Sequence, residues 1–154
     1  MPARPRPRNP KNDSHPLRHT TASIMLAVAL DATERTMTEI GRAVGYGASN
    51  RSSLSHMASG IQPIPLDKAE IIARTVGLDE GAFTLAVLHQ RHPDAAEALW
   101  TLHSIEHPPR LPDAVLTTMR DRLLNGDQAF ARAALPIIAR PHPWNGVEER
   151  VARL

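Results

Sequence analysis

Helix start and stop signals follow one another at short intervals over most of this sequence, and this spacing limits the chain to a bundle of short helices. Thr36 and Glu39 form a Thr-x-x-Glu capping box that begins one helix, and Gly45 marks its end. Pro65 suits the first turn of a later helix, which Gly77 ends. No segment has the alternating pattern of a strand, so the predicted fold class is all-α. The other predicted helices begin at Thr20 or Thr21, Ser49 or Asn50, Asp79, Asp94, Pro112, Asp127 and Val147.

The composition agrees with a helical core and excludes several classes of protein. The 154 residues are 42% apolar but only 3% aromatic, and they include no cysteine. Without cysteine the chain has no disulfide framework, no thiol nucleophile and no cysteine-based zinc site. The low aromatic content also argues against a stacking platform for single-stranded nucleic acid. No window reaches the roughly 18 apolar residues of a membrane span, so we expect no membrane partner.

The positive charge is concentrated in a proline-rich segment at the start of the sequence. Residues 1–19 carry a net charge of +4, whereas residues 20–154 carry a net charge of −2. Many prolines and few apolar residues predict that residues 1–19 form a disordered basic arm whose natural partner is an anion. A second interpretation stays open, in which this arm and the apolar run Ile24–Leu30 form a secretory signal that is cleaved near Ala32.

A short predicted helix over residues 51–59, ended by Gly60, carries the most information about function. Its only large apolar residues, Leu54 and Met57, are three positions apart and form a narrow stripe that can face a core. The rest of its surface is small or polar and can form hydrogen bonds. These features predict a helix that is buried along one edge and presented to a partner along the other.

Two short helices joined through glycines, and followed by a helix that starts at a proline, form the helix-turn-helix pattern. From about residue 20 to residue 91 the sequence resembles the Cro/repressor-type helix-turn-helix domain of the XRE family, which is also called the lambda-repressor-like DNA-binding domain. The turn before the second helix is longer here than in the commonest form of the family. The matching positions are Ile40, Gly41, Val44, Gly45, Ser53, Leu54, Met57, Gly60 and Ala73.

The resemblance implies a domain organisation and a function. We expect residues 20–92 to form the DNA-binding domain and residues 93–154 to form a small helical extension for dimerisation or partner binding. The implied function is sequence-specific regulation of transcription, with repression expected, on double-stranded DNA in the cytoplasm of a bacterium or from a phage gene. Domains of this kind act as homodimers on paired half-sites. An alternative stays open: a protein-interaction module, such as an antitoxin or an adaptor, that uses the same bundle to bind a partner protein.

A recognition helix in the major groove predicts a set of contact residues by position. Arg51 is the candidate for a bidentate contact with guanine. Arg42 and the start of the preceding helix near Thr38 are candidates for phosphate contacts. The other expected DNA-binding residues are Asn50, Ser52, Ser55 and His56.

The predicted DNA-binding domain is nearly neutral, which is unfavourable for binding a polyanion. Residues 20–92 contain six basic and seven acidic groups. Because counterion release by basic contacts dominates DNA affinity, we expect the arm to supply additional attraction along phosphates or in the minor groove. Deletion of residues 1–19 should then weaken binding and flatten its salt dependence.

Histidines and carboxylates do not form a recognisable metal or catalytic site in the sequence. His103 and His107 have helical spacing for a shared metal ion, as do His89 and His92, but neither pair has a third ligand close by. The sequence lacks a hydrolase nucleophile elbow, a phosphate-binding loop and a zinc-protease motif. We therefore expect no metal ion, no cofactor and no enzymatic activity.

The predicted helix over residues 112–124 has one apolar face, and its partner is not evident from the sequence. This face can pack on the core of the same chain or against a second copy. It consists of Val115, Leu116, Met119 and Leu123.

Overall fold

Regular secondary structure in this chain is helical throughout the part that the structure describes. The structure is a computed structural model that describes residues 15–47, 50, 52–102, 110–140, 144 and 146–154. No strand occurs in these ranges, so the all-α prediction is confirmed. None of the helices found there has both the length and the apolar character that a bilayer span requires. The helices are α1 (Thr21–Ala32), α2 (Met37–Val44), α3 (Ser53–Ala58), α4 (Leu66–Val76), α5 (Glu80–Arg91), α6 (Pro93–Leu102), α7 (Asp113–Leu124), α8 (Gln128–Ile138) and α9 (Val147–Ala152).

Helix α1 lies at the centre of the fold because it is apolar on nearly every side. Met25, Leu26 and Val28 are completely buried, and α3, α4, α5, α7 and α8 all contact this helix. A helix that is hydrophobic all round is stable only when its neighbours enclose it. The apolar run Ile24–Leu30, which is the core of the alternative secretory signal, is therefore part of the folded core in this structure.

The apolar face of α7 packs inside its own chain. Val115, Met119 and Leu123 are 1%, 0% and 3% exposed, and Leu116 is 8% exposed. Together with residues of α8 and α9, they belong to the same hydrophobic core as α1. Of the two partners that the sequence left open for this face, the structure shows the core of the same chain.

Side-chain caps that were predicted from single residues are present at several helix starts. Thr36 Oγ1 accepts a hydrogen bond from Glu39 N at 3.3 Å, and Glu39 Oε2 accepts one from Thr36 N at 2.7 Å, which together form the predicted capping box. Gly45 ends α2 with a positive φ of 88°. The other predicted capping side chains that accept a backbone hydrogen bond are Thr20, Asp79 and Asp127.

Helix α3 begins later than the sequence predicts. The predicted range is 51–59 with a cap at Ser49 or Asn50, whereas the helix spans Ser53–Ala58 and its N-cap is Ser52. Ser52 has helical backbone angles and makes no side-chain capping bond, although serine is a residue type that favours an N-cap. Ser49 lies outside the described residues.

Helix α8 continues past a proline, a residue type that breaks or kinks a helix when it lies in the interior. Pro136 lies inside α8, which ends only at Ile138. Pro136 is exposed, while Ala134 and Ile138 are both 0% exposed on the buried side. Because a proline near a helix end removes only one hydrogen bond, the burial of these neighbours outweighs that loss.

The beginning of the described chain is a pair of turns rather than an extended arm. Arg18 N donates to His15 O at 3.1 Å, and Thr20 N donates to Leu17 O at 3.2 Å. Residues 15–19 of the predicted arm thus form turns, and the backbone of Leu17 and Arg18 lies against the end of α3. Residues 1–14 lie outside the described residues.

Candidate nucleic-acid interface

Helix α3 is held against the core along one edge only. Leu54 and Met57 are each 1% exposed and anchor the helix next to α1. Ser52 and Ser55 are exposed, and His56 is half-buried. The helix therefore keeps a polar surface of short side chains open to solvent, as the spacing of its two apolar residues predicts.

The carboxyl end of α3 requires glycine at residue 60 for two reasons. Gly60 has a φ of +75°, with Gly60 N donating to Met57 O at 3.2 Å and Ile61 N donating to His56 O at 2.9 Å. This pair of bonds is a Schellman motif, which favours glycine at the left-handed position. In addition, a Cβ at this position would lie 2.2 Å from Arg18 N. The segment before α1 therefore passes directly over the end of α3.

Helix α2 presents the two candidate phosphate contacts on an exposed surface that also carries a carboxylate. Thr38 and Arg42 are both exposed. Hydrogen bonds from the Thr36 N–H and hydroxyl lower the pKa of Glu39, so this carboxylate stays ionised at the start of α2. An approaching phosphate near Thr38 would meet this negative charge, whereas Arg42 offers a positive one.

A lysine of α4 supports the turn that leads from α2 towards α3. Lys68 Nζ donates to Val44 O at 3.3 Å, and a Cβ at Gly45 would lie 3.5 Å from the same Nζ. Tyr46 N also donates to Gly41 O at 2.7 Å, which completes the Schellman motif that ends α2. Sequence reasoning did not identify Lys68, because the contact joins residues 24 positions apart and no local pattern marks it.

Tyr46 fills the base of this turn. Its hydroxyl is buried and makes no hydrogen bond within the described part of the chain. Burial raises the pKa of the Tyr46 phenol, and the nearby Asp67 carboxylate raises it further. The ring is therefore neutral at physiological pH and acts as a packing residue.

Six of the seven predicted DNA-binding residues fall within the described ranges, and five of these are exposed. Arg51, the expected guanine contact, lies outside the described residues. His56 is the residue that is only half-exposed. The exposed five are Thr38, Arg42, Asn50, Ser52 and Ser55.

The described residues contain no cluster that suits a metal ion. No group of three or more His, Asp or Glu side chains comes together in these ranges. His89 and His92 are included in that search, whereas His103 and His107 lie outside it.

Comparisons with known proteins neither support nor oppose the resemblance. The chain matched no protein-family model, no curated protein and no solved structure.

Proposed function

We propose that this chain binds double-stranded DNA in a sequence-specific manner and regulates transcription, with repression by operator occupancy as the expected mode. The proposal depends on the observation that α3 is buried along one edge and exposed along the other. Leu54 and Met57 fix the helix to the core, while Ser52 and Ser55 remain exposed beside it. A helix held in this way can enter the major groove of B-DNA, where short polar side chains reach base edges.

The proposed contacts divide into base readers and phosphate contacts. Arg51 would pair with guanine O6 and N7, and the polar residues Asn50, Ser52, Ser55 and His56 would read neighbouring positions. Arg42 on α2 is the favoured phosphate contact, because Glu39 makes the start of that helix less attractive to an anion. Lys68 supports this role indirectly by holding the turn between the two helices.

The near-neutral charge of residues 20–92 gives the basic arm a share in the proposed binding. Residues 1–14 contain four basic groups and one acidic group, and they join the fold at His15, beside the segment that crosses Gly60. Basic side chains that follow the phosphate backbone would add affinity without adding sequence preference.

A salt titration of duplex binding tests this proposal. The unaltered chain should bind random duplex with an affinity that falls steeply with salt, and it should bind a fragment selected from a random pool at least about 1000-fold more tightly. Deletion of residues 2–14 should reduce the slope of log K against log salt by up to about 3.6, because about 0.9 is lost for each phosphate contact. This deletion leaves the turns over residues 15–20 in place. An unchanged slope would reject the role of the arm, and absence of binding at low salt would reject DNA binding.

A homodimer on paired half-sites, which the resemblance implies, would need a surface other than the apolar face of α7. That face is buried within the chain. The oligomeric state on DNA is measured by the stoichiometry of the complex, and a two-to-one complex on a palindromic fragment is expected.

A second candidate function is a protein-interaction module, and the outer surface of α6 favours it. Leu99 is 41% exposed and Leu102 is 78% exposed on a helix that buries Ala96, which is 1% exposed. Exposed leucines in proximity suit a protein partner more than a phosphate backbone. Two results together would support this function instead of the first. The unaltered chain would bind no duplex at low salt, and a Leu99→Ser, Leu102→Ser variant would lose binding to the partner protein.

A further inference from the structure

The side chain of Gln90 connects three separate parts of the fold. Gln90 is half-buried at the end of α5. Its Nε2 donates to Thr20 Oγ1 at 2.7 Å and to Ser23 Oγ at 2.9 Å, and its Oε1 accepts from Ile64 N at 2.9 Å. Both of its donor hydrogens and its acceptor oxygen are thus used. One amide group thereby joins the start of α1 to the loop that follows α3.

The loop after α3 is fixed by consecutive residues of α5. Ile64 N donates to Gln90, and Ile64 O accepts from the Arg91 guanidinium at 3.3 Å. The Ile64 side chain is completely buried. Both backbone groups and the side chain of Ile64 are therefore held, which limits the positions available to the loop between Gly60 and α4.

The segment before α1 is connected by hydrogen bonds, through Thr20, to the same Gln90 amide group. Thr20 Oγ1 donates to Leu17 O at 2.7 Å while it accepts from Gln90. The backbone of Leu17 and Arg18 in turn lies so close to Gly60 that a Cβ there would be 2.6 Å or less from it. Gln90, through Thr20, therefore holds this segment where it crosses the end of α3.

We propose that Gln90 is a positioning residue that keeps the base of the basic arm against the end of α3, so that the arm and the candidate recognition helix bind one continuous stretch of duplex. Gln90 does not itself touch DNA in this arrangement. It acts through Thr20 on one side and through Ile64 on the other. This inference rests on the proposed function.

The test is a double-mutant cycle between Gln90→Met and deletion of residues 2–14. Methionine has a similar volume but cannot make any of the three hydrogen bonds. In the full chain, Gln90→Met should weaken binding to random duplex by at least about threefold and should reduce the salt slope towards that of the deletion. In the chain that lacks residues 2–14, the same substitution should change the affinity by less than about twofold.

A matched control and a milder variant keep this test interpretable. Gln128→Met makes the same chemical change at an exposed position of α8 and should leave affinity and slope unchanged in both backgrounds. If Gln90→Met fails to fold, Ser23→Ala removes one of the three hydrogen bonds at a helical position where alanine is favourable. Ser23→Ala should weaken duplex binding by the full chain by a smaller factor than Gln90→Met does. It should have little effect in the chain that lacks residues 2–14.

Amide hydrogen exchange of Ile64 provides a readout that does not involve DNA. Loss of the Gln90 acceptor should speed exchange of the Ile64 amide roughly fivefold or more, and the Gln128→Met control should not. An unchanged exchange rate of the Ile64 amide in Gln90→Met would show that Gln90 does not hold the loop after α3, and it would overturn the proposal. Equal losses of duplex affinity in both backgrounds overturn only the positioning role, whereas absence of duplex binding by the unaltered chain overturns the proposed function itself.

Discussion

Two glycines of this fold occupy similar backbone conformations in very different surroundings. Gly60 and Gly77 have φ angles of +75° and +83°, and each ends a helix. At Gly77 nothing lies within 4 Å of the place where a Cβ would be, whereas at Gly60 the nearest atom is Arg18 N at 2.2 Å. A comparison of the two positions therefore distinguishes two contributions to the free energy of unfolding: that of a left-handed backbone and that of a close approach between two segments.

Substitution of these glycines by alanine should give two distinct losses of stability. Gly77→Ala should lower the free energy of unfolding by about 1–2 kcal/mol, which is the ordinary cost of a left-handed residue with a Cβ. Gly60→Ala should lower it by at least about 1 kcal/mol more, because the atoms that meet the new methyl group are backbone and cannot rotate away. Denaturant unfolding of both variants measures the difference. Equal losses would contradict the close contact between residues 17–18 and the end of α3.

At the scale of single elements, an aspartate links the end of one carboxyl-terminal helix to the start of the next. Asp127 Oδ1 accepts from Phe130 N at 2.9 Å and so caps α8, while Asp127 Oδ2 accepts from the Arg122 guanidinium of α7 at 2.8 Å. Arg122 also lies over the Phe130 ring, 4.8 Å from its centroid. One carboxylate thus forms hydrogen bonds with residues of both α7 and α8.

The contribution of Asp127 to stability should depend on pH in a defined direction. The hydrogen bond from Phe130 N, followed by the hydrogen bond and the charge of Arg122, lowers the pKa of Asp127 in the folded state. A carboxylate with a lowered pKa stabilises the fold fully above its unfolded pKa of about 3.9, and this stabilisation is lost as the pH falls through the folded pKa. Asp127→Asn should therefore be less stable than the unaltered chain at pH 7, and the difference should disappear at the acid end. Chemical unfolding measured from pH 7 to pH 2.5 checks this, with Asp121→Asn on the exposed face of α7 as the control for net charge.

Most helix boundaries could be predicted from the residues next to them, whereas contacts between distant residues could not be predicted. Thr36 with Glu39, and Asp127 before α8, act within a single turn, so their roles follow from a few neighbouring residues. At the start of α3 the Ser52 side chain makes no capping bond, and the predicted helix begins two residues too early. At the candidate interface, exposure of Ser52 and Ser55 followed from the spacing of buried residues in α3. The roles of Lys68 and Gln90 depend on partners 24 to 70 positions away, and such pairings leave no local pattern.

At the scale of the whole molecule, α1 serves both halves of the chain at once. It contacts α3, α4 and α5 of the segment that resembles a DNA-binding domain, and it also contacts α7 and α8 of the predicted extension. Buried residues from Ala22 to Val151 form one hydrophobic core. The apolar face of α7 was visible in the sequence, but an amphipathic helix does not specify which surface it will cover.

Removal of the carboxyl-terminal helices should therefore unfold the remaining part. A chain that ends at residue 102 would lose α7, α8 and α9 and would expose the side of α1 that they cover. We expect this chain to lose its cooperative thermal transition and to bind a hydrophobic dye, because α1 has no polar side to turn towards water. Circular dichroism during heating measures the transition, with the deletion of residues 2–14 as the control that should melt normally. A sharp transition in the chain of residues 1–102 would show that the first half folds alone.

The crossing of residues 17–18 over Gly60 also bears on how the protein is handled in the laboratory. Residues 17–18 lie against the end of the proposed groove-binding helix, so a polyhistidine stretch ahead of residue 15 would compete with, or imitate, the basic residues of the arm. Leu154, which follows α9, is 41% exposed. A purification tag placed after this residue would leave any attraction to nucleic acid to the basic residues of the arm and the helices.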